Sequence, residues 1–316
     1  MTRAEYAIRS HSAMKASTFA LFVLTFVFRI ALAVSTSLHS RQGITVLTTA
    51  EIATFKPYTF FASAGYCEPD ATLAWDCGSA CQANSDFKPV ASGGDGADVQ
   101  FWYVGYSPSL STVIVAHQGT DPSQIVPLLT DGDFALAPLD SNIFPGISSD
   151  ILVHDGFSDT QARSAKDILR TVTTALSEYN TNSVTLVGHS LGAALSLLDT
   201  VYLSLHLNAS YRMVGYGLPR VGNQEFADYL DASFPGKISH INNKQDPIPI
   251  LPGMALGFHQ PSGEIHIDSD DNWNSCPGQG LTRKRDVLSG MLVAVFVGDL
   301  NNHDGPYDGV EMDSGC

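Results

Sequence analysis

The stretch from Val184 to Ala194 restricts this chain more than any other. A run of buried-strand type, Val184 to Val187, meets Gly188-His189-Ser190-Leu191-Gly192, and the mostly apolar residues 191–207 follow at once. Apolar residues all round suit a buried helix. A strand that turns into a helix this abruptly has no room for side chains two positions before and two after the apex. Gly188 and Gly192 meet that demand, and Ala193 and Ala194 let the helix lie close to the strand. Ser190 then stands at the apex with its hydroxyl above the sheet and the positive end of the helix beneath it. A serine so placed is a nucleophile candidate, and the amide of Leu191 points to where an oxyanion would develop.

Around this elbow, apolar and β-branched runs at residues 99–106, 112–116, 183–187, 213–216, 238–241 and 264–267 predict strands. Apolar residues three and four apart over 160–179 predict a helix, as do 191–207 and 223–234. Strands alternating with helices imply an α/β fold, a largely parallel sheet with helices on both faces. The 316 residues contain no internal repeat and no long low-complexity linker, so one domain is expected. Apolar residues at 44% exclude a disordered chain. With 17 Lys and Arg against 32 Asp and Glu, the net charge of −15 repels phosphate backbones, and no nucleic-acid partner is expected. Neither a phosphate loop nor a His-Glu-x-x-His zinc pattern occurs, so no cofactor and no metal are expected.

Residues 1–35 read as a secretory signal peptide. Met14-Lys15 precedes an apolar run over 19–28 broken only by Thr25; Arg29 stops it, and Ala31 and Ala33 supply the small residues of a cleavage site. The run is too short for a comfortable membrane span, so no transmembrane anchor is expected. Ser40-Arg41 offers a further propeptide cut, which leaves residues 42–316 as the domain. Losing Arg3, Glu5, Arg9, Lys15 and Arg29 takes the net charge to −18. Secretion permits disulfides and makes Asn208-Ala209-Ser210 a candidate glycan site.

A serine hydroxyl needs a base, and the base needs an orienting group. In a strand–elbow–helix protein these follow in the order Ser, Asp or Glu, His. Asp199 lies nine residues into the helix behind Ser190 and points away from the elbow, while Asp228 and Asp231 fall mid-helix. Asp246 is favoured: it lies in the loop after the strand 238–241, at the end where an open α/β sheet places its chemistry. The acidic turn 268–271 is its runner-up. Among the histidines, His206 lies deep in the helix, and His240 and His266 lie within strands. The spacing favours His303, in the polar loop 301–307, and leaves His259 as a rival.

These residues resemble the fungal secreted class 3 lipases, a branch of the α/β-hydrolases. The resemblance rests on Val115 to Thr120, Val153 to Phe157, Gly188 to Ala194, Asn243 to Pro252 and His303 to Tyr307, in family order over about residues 45–310. It is strongest to mushroom-type members, which include lipases and feruloyl esterases. It implies Ser190 as nucleophile, Asp246 as orienting acid, His303 as base, and Thr120 beside Leu191 in the oxyanion hole. It also implies a Cys67–Cys316 disulfide. Cys77 and Cys81 bracket three residues and would close a small local loop, which leaves Cys276 over. His154 is read as structural. The segment after Thr120 corresponds to the family's lid; Ile125, Val126, Leu128 and Leu129 would meet lipid, although Pro127 disturbs a helix interior. Ile248, Ile250 and Leu251 would form a wall for an acyl chain. The basic cluster and apolar run at 280–297 departs from the family and reads as a retained intron, or else as an extra strand over a sheet edge.

The expected function is a secreted carboxylic-ester hydrolase, foremost a triacylglycerol lipase that works through an acyl-enzyme. Its expected partners are ester or lipid substrates at an oil–water interface, with transient contact to the lipid surface and a monomeric state. A feruloyl esterase acting on plant-wall esters is the alternative; a non-catalytic lipid-binding relative is disfavoured by the complete triad.

Overall fold

In the computed structural model the described residues are 43–120, 135–279, 298–312 and 316, and all but Gly43 belong to one unit, Ile44–Cys316. The signal peptide over 1–35, the propeptide cut, the lid residues Ile125, Val126, Leu128 and Leu129, and the segment 280–297 lie outside them. The strands are β1 (Thr45–Val46), β2 (Lys88–Gly93), β3 (Trp102–Ser107), β4 (Thr112–His117), β5 (Leu136–Pro138), β6 (Leu152–His154), β7 (Ser183–His189), β8 (Ser210–Tyr216), β9 (Ile238–Asn243), β10 (Glu264–Ile267) and β11 (Trp273–Ser275). The helices are α1 (Thr49–Ala53), α2 (Lys56–Ala64), α3 (Pro69–Ala74), α4 (Gly78–Ala83), α5 (Asp155–Glu178), α6 (Leu191–His206) and α7 (Gln224–Ser233).

Among the described residues nine strands form one sheet in the order β1-β11-β10-β9-β8-β7-β4-β3-β2. The five from β4 to β10 across its middle are parallel, and antiparallel pairs finish both edges. Alternation along each strand explains why the sheet is covered twice. Val113 and Val115 of β4, and Val184 and Leu186 of β7, join a core with Ile168 and Val172 of α5 and Leu195 and Leu198 of α6. Ile114 and Ala116 of β4, and Val187 of β7, point the other way and join Phe61 and Ala62 of α2. Successive side chains of a strand face opposite sides, so a strand buried on both faces reads as a continuous apolar run. Each such side chain contributes about 1.5–3 kcal/mol by leaving water.

Two boundaries differ from expectation for local reasons. The strand expected from residue 99 begins at Trp102, because the Asp95 carboxylate accepts the amides of Ala97 and Val99 at 2.9 Å and bends the chain into a turn. The helix expected from residue 160 begins at Asp155, whose carboxylate accepts the Gly156 amide at 2.8 Å in the first turn. Two disulfides close the α2–α4 region: Cys67–Cys316, with Cα atoms 5.4 Å apart, and Cys77–Cys81, at 5.2 Å. Cys276 stands outside both, buried, with its thiol 3.5 Å from the Asn274 carbonyl.

Candidate active site

The turn between β7 and α6 is as tight as its sequence requires. A Cβ on Gly188 would collide with the backbone of Gly192, and one on Gly192 with the carbonyl of His117 at the end of β4. Ser190 has φ 57° and ψ −126°, a conformation that L-residues adopt only under strain and that clusters at functional sites. Its amide donates to the Tyr216 carbonyl at 2.9 Å, which ties the apex to the end of β8. Leu191 is the first helical residue, so its amide is among those without an intrahelical acceptor.

Asp246 follows β9, and its carboxylate lies 2.8 Å from Nδ1 of His303, in the loop after residue 300. Of the sequence alternatives, His259 hydrogen-bonds through its backbone to Gly222, and Asp268 caps its own turn by accepting the amides of Asp270 and Asn272. Asp199 pairs with His117 at 2.7 Å and accepts from Gln161 at 2.6 Å, apart from His303. Among the described residues, the side-chain oxygen of Gln161 and Nδ1 of His117 stay without partners in that buried group.

The Asp246–His303 pair is built by its surroundings. Gly217, with φ 55°, directly follows β8, and a Cβ there would lie 2.7 Å from Cε1 of His303 and 3.2 Å from Oδ2 of Asp246. Asn243 donates to the carbonyls of Asn302 and Gly305 at 3.0 and 2.8 Å. Tyr307 donates its hydroxyl to the His303 carbonyl at 2.9 Å. The other oxygen of Asp246 accepts the Ile248 amide at 2.9 Å. Ser190 and His303 are both fully buried, and among the described residues neither Ser190 Oγ nor His303 Nε2 has a hydrogen-bond partner. Thr120 lies half-buried just beyond β4, after Gly119.

The sequence and the fold are similar to those of known proteins. A model described as "Lipase (class 3)" matches residues 114–256. The chain is 30% identical over 233 residues to the secreted mono- and diacylglycerol lipase MDL5 of Malassezia globosa, an alignment covering 72% of each chain. It is 31% identical to MDL2 of the same organism, over 75% of this chain and 72% of that one. The chain belongs to the class 3 lipase family. A solved triacylglycerol lipase, described as having a serine-protease triad at its catalytic centre, superposes on this lipase with a TM-score of 0.71 at 25% identity. That likeness covers 86% of this chain and 99% of the other. The Lip2 lipase of Yarrowia lipolytica shares the fold, with a TM-score of 0.73 at 21% identity over 87% and 98% of the two chains. The lipase is therefore a secreted α/β-hydrolase that cleaves carboxylic esters.

In this lipase the acid loop 247–252 is held from behind. Buried Arg220 donates to the carbonyls of Ile250 and Pro252, and Gln260 donates to the carbonyls of Leu218 and Pro249 at 2.8 and 3.3 Å. Ile248 and Leu251 are fully buried within the α5–α6 core, and Ile250 is half-buried against it. His154 stacks on Phe157 with ring centroids 4.2 Å apart. Residues absent from the sequence-based site are Gly217, Asn243, Tyr307, His189 and Tyr66. A glycine directly after a predicted sheet strand was the one local sign available for Gly217. Among the described residues no group of three or more His, Cys, Asp or Glu could hold a metal, and no helix is long and apolar enough to cross a membrane.

Proposed function

We propose that Ser190, Asp246 and His303 carry out acyl transfer from acylglycerol esters. The observation that carries this reading is the buried Asp246–His303 pair packed on Gly217, whose free Nε2 accompanies an equally unpartnered Ser190 Oγ. Ser190 Oγ attacks the ester carbonyl while Nε2 of His303 takes its proton. Asp246, at Nδ1, fixes the tautomer and stabilises the imidazolium. The oxyanion is held by the amide of Leu191 and by Thr120, through its amide and hydroxyl. His303 returns the proton to the departing glycerol oxygen; then, as base, it activates the water that hydrolyses the acyl-enzyme.

Full burial of nucleophile and base means that cover must move before an ester reaches them. The aliphatic segment that contains Ile125, Val126, Leu128 and Leu129 follows Thr120 directly and is the part we assign to that cover. Ile250, half-exposed beside buried Ile248 and Leu251, is the member of the proposed acyl wall that a chain would touch first. The relatives named as mono- and diacylglycerol lipases favour partial acylglycerols; the solved triacylglycerol lipase extends the class to triacylglycerol. We further assign residues 1–35 to a signal peptide and 42–316 to the enzyme domain, which works as a monomer in transient contact with a lipid surface.

The test is a rate panel on emulsified triolein, diolein and monoolein against methyl ferulate. Acylglycerols should be cleaved faster, with a rate increase once substrate forms an interface; a preference for ferulate overturns the substrate class. Ser190→Ala should lower kcat by about 10⁶-fold and Asp246→Asn by about 10⁴-fold, with the fold retained. Turnover that survives Ser190→Ala removes the triad.

A further inference from the structure

His189 stands beside the nucleophile, yet the acyl-transfer mechanism above gives it nothing to do. Its side chain is fully buried, and both ring nitrogens are engaged. Nε2 lies 2.8 Å from the carbonyl oxygen of His303, the base's own backbone. A carbonyl can only accept, so Nε2 carries the proton. Nδ1 lies 2.5 Å from the hydroxyl of Tyr66, in the turn after α2. Burial, reinforced by the neighbouring His303, pushes the His189 pKa well below its ordinary value, so the ring is neutral and Nδ1 accepts the Tyr66 proton.

The far end of this chain of bonds reaches the oxyanion strand. Gly119 immediately precedes Thr120, and a Cβ on it would strike the Tyr66 hydroxyl and lie 2.7 Å from the His189 carbonyl oxygen. Tyr66, His189 and Gly119 are thus packed atom on atom. Three segments remote in sequence meet around His189: the elbow that holds Ser190, the loop that holds His303 and, through the Tyr66 hydroxyl and the His189 carbonyl, the strand that leads to Thr120.

Resting on the triad reading above, we propose that His189 is a positioning residue of this lipase. Through its two ring nitrogens it sets the spacing between the base loop and the oxyanion strand, with Tyr66 as its partner on the strand side. The ring also has to be uncharged in order to do this. Its centroid is 4.4 Å from that of His303, and a cation there would oppose the imidazolium that His303 becomes at each proton transfer. The Tyr307 ring lies 6.2 Å from that of His189, and its hydroxyl supplies the second donor to the His303 carbonyl. The His303 carbonyl therefore keeps one hydrogen bond when His189 is lost, and with Asn243 still bonded to Asn302 and Gly305 the base loop shifts without detaching. A displacement of about 1 Å at the reacting groups is enough to lower the rate by about 100-fold.

The experiment uses the full chain and the variants His189→Phe, His189→Gln, Tyr66→Phe and the double variant Tyr66→Phe/His189→Phe. Each is titrated with a p-nitrophenyl alkylphosphonate, so that turnover of p-nitrophenyl butyrate is expressed per reactive serine and misfolded protein drops out. For His189→Phe, kcat per titrated site should fall about 100-fold with KM within about twofold, the pattern of an interaction made in the transition state alone. Tyr66→Phe, which deletes one hydroxyl, should lose about tenfold, equivalent to a single hydrogen bond. Gln can present an amide N–H toward the position of Nε2, so His189→Gln should recover most of the Phe loss. The double variant should be no worse than His189→Phe, because the two act through one link. Unchanged kcat per site in His189→Phe, or additive losses in the double variant, overturn the proposal. Ser190→Ala and His303→Ala in parallel separate the two levels: if they retain turnover the triad has failed, whereas if they are dead and His189→Phe is normal only the positioning role has failed.

Discussion

At the scale of single residues, the site depends on places where a side chain is forbidden. Gly217 is the sharpest of these. Its φ of 55° disfavours any other residue, and the missing Cβ is what lets the His303 ring lie against the chain beside Asp246. Gly217→Ala should therefore lower kcat by about 100-fold through displacement of the base, while destabilising the fold by about 1–2 kcal/mol for the positive φ. Paired activity and urea-unfolding measurements check this; a variant with normal kcat would show that the ring has room to spare. Ser190 and its flanking glycines could be read in the sequence because the elbow is local: five adjacent residues carry the whole geometric demand. Asp246 could be placed at the mouth of a strand. Spacing favours His303 but leaves His259 as a rival, since their difference lies in which of them folds back onto Asp246. Gly217, Asn243, Tyr307 and Tyr66 had no local signature strong enough to find them, because each acts on a residue brought to it by tertiary structure.

At the scale of elements, the long central strands and the long helices could be read, and the short ones could not. Residues 264–267 form β10 with the expected bounds, and 191–207 differs from α6 by one residue. Strands of two or three residues such as β1, β6 and β11 are too short to show a period, and β2 at the sheet edge carries Pro89 and a register shift beside it. One buried group links elements that periodicity treats separately. His117 of β4, Gln161 of α5 and Asp199 of α6 share the two oxygens of one carboxylate in the core. The acid set aside from the triad thus serves β4, the strand that leads to Thr120. Asp199→Ala would leave the donors of His117 and Gln161 buried without acceptors, and should destabilise the enzyme by about 3–5 kcal/mol. Denaturant titration at neutral pH measures this; a loss under about 1 kcal/mol would mean that the group relaxes or hydrates freely.

At the scale of the whole molecule, acid should act through histidines more than through the surface carboxylates. Burial lowers the pKa of His189, helped by its neighbour His303, and burial also lowers that of His240, against the pull of Glu264 and Asp231. Both depart downward from 6.5, so the unfolded chain takes up protons first as pH falls. Stability from these groups is present above about pH 6.5 and is lost below it, by up to about 1.4 kcal/mol per pH unit for each group. Melting temperatures recorded from pH 8 to pH 5 should be flat at first and then fall; His240→Gln should soften the slope, and a profile flat to pH 5 would contradict the burial of both rings.

The bonds that hold the base in place span 57, 114 and 123 residues, from Asp246 to His303, from His189 to the His303 carbonyl, and from Tyr66 to His189. Contacts so distant along the chain are slow to find, because each waits for a long loop to close. The consequence is one of timing. In a refolding experiment the helices should return before hydrolysis does, and the interval between the two signals would report how long the enzyme exists as a native-looking molecule that cannot yet cleave an ester.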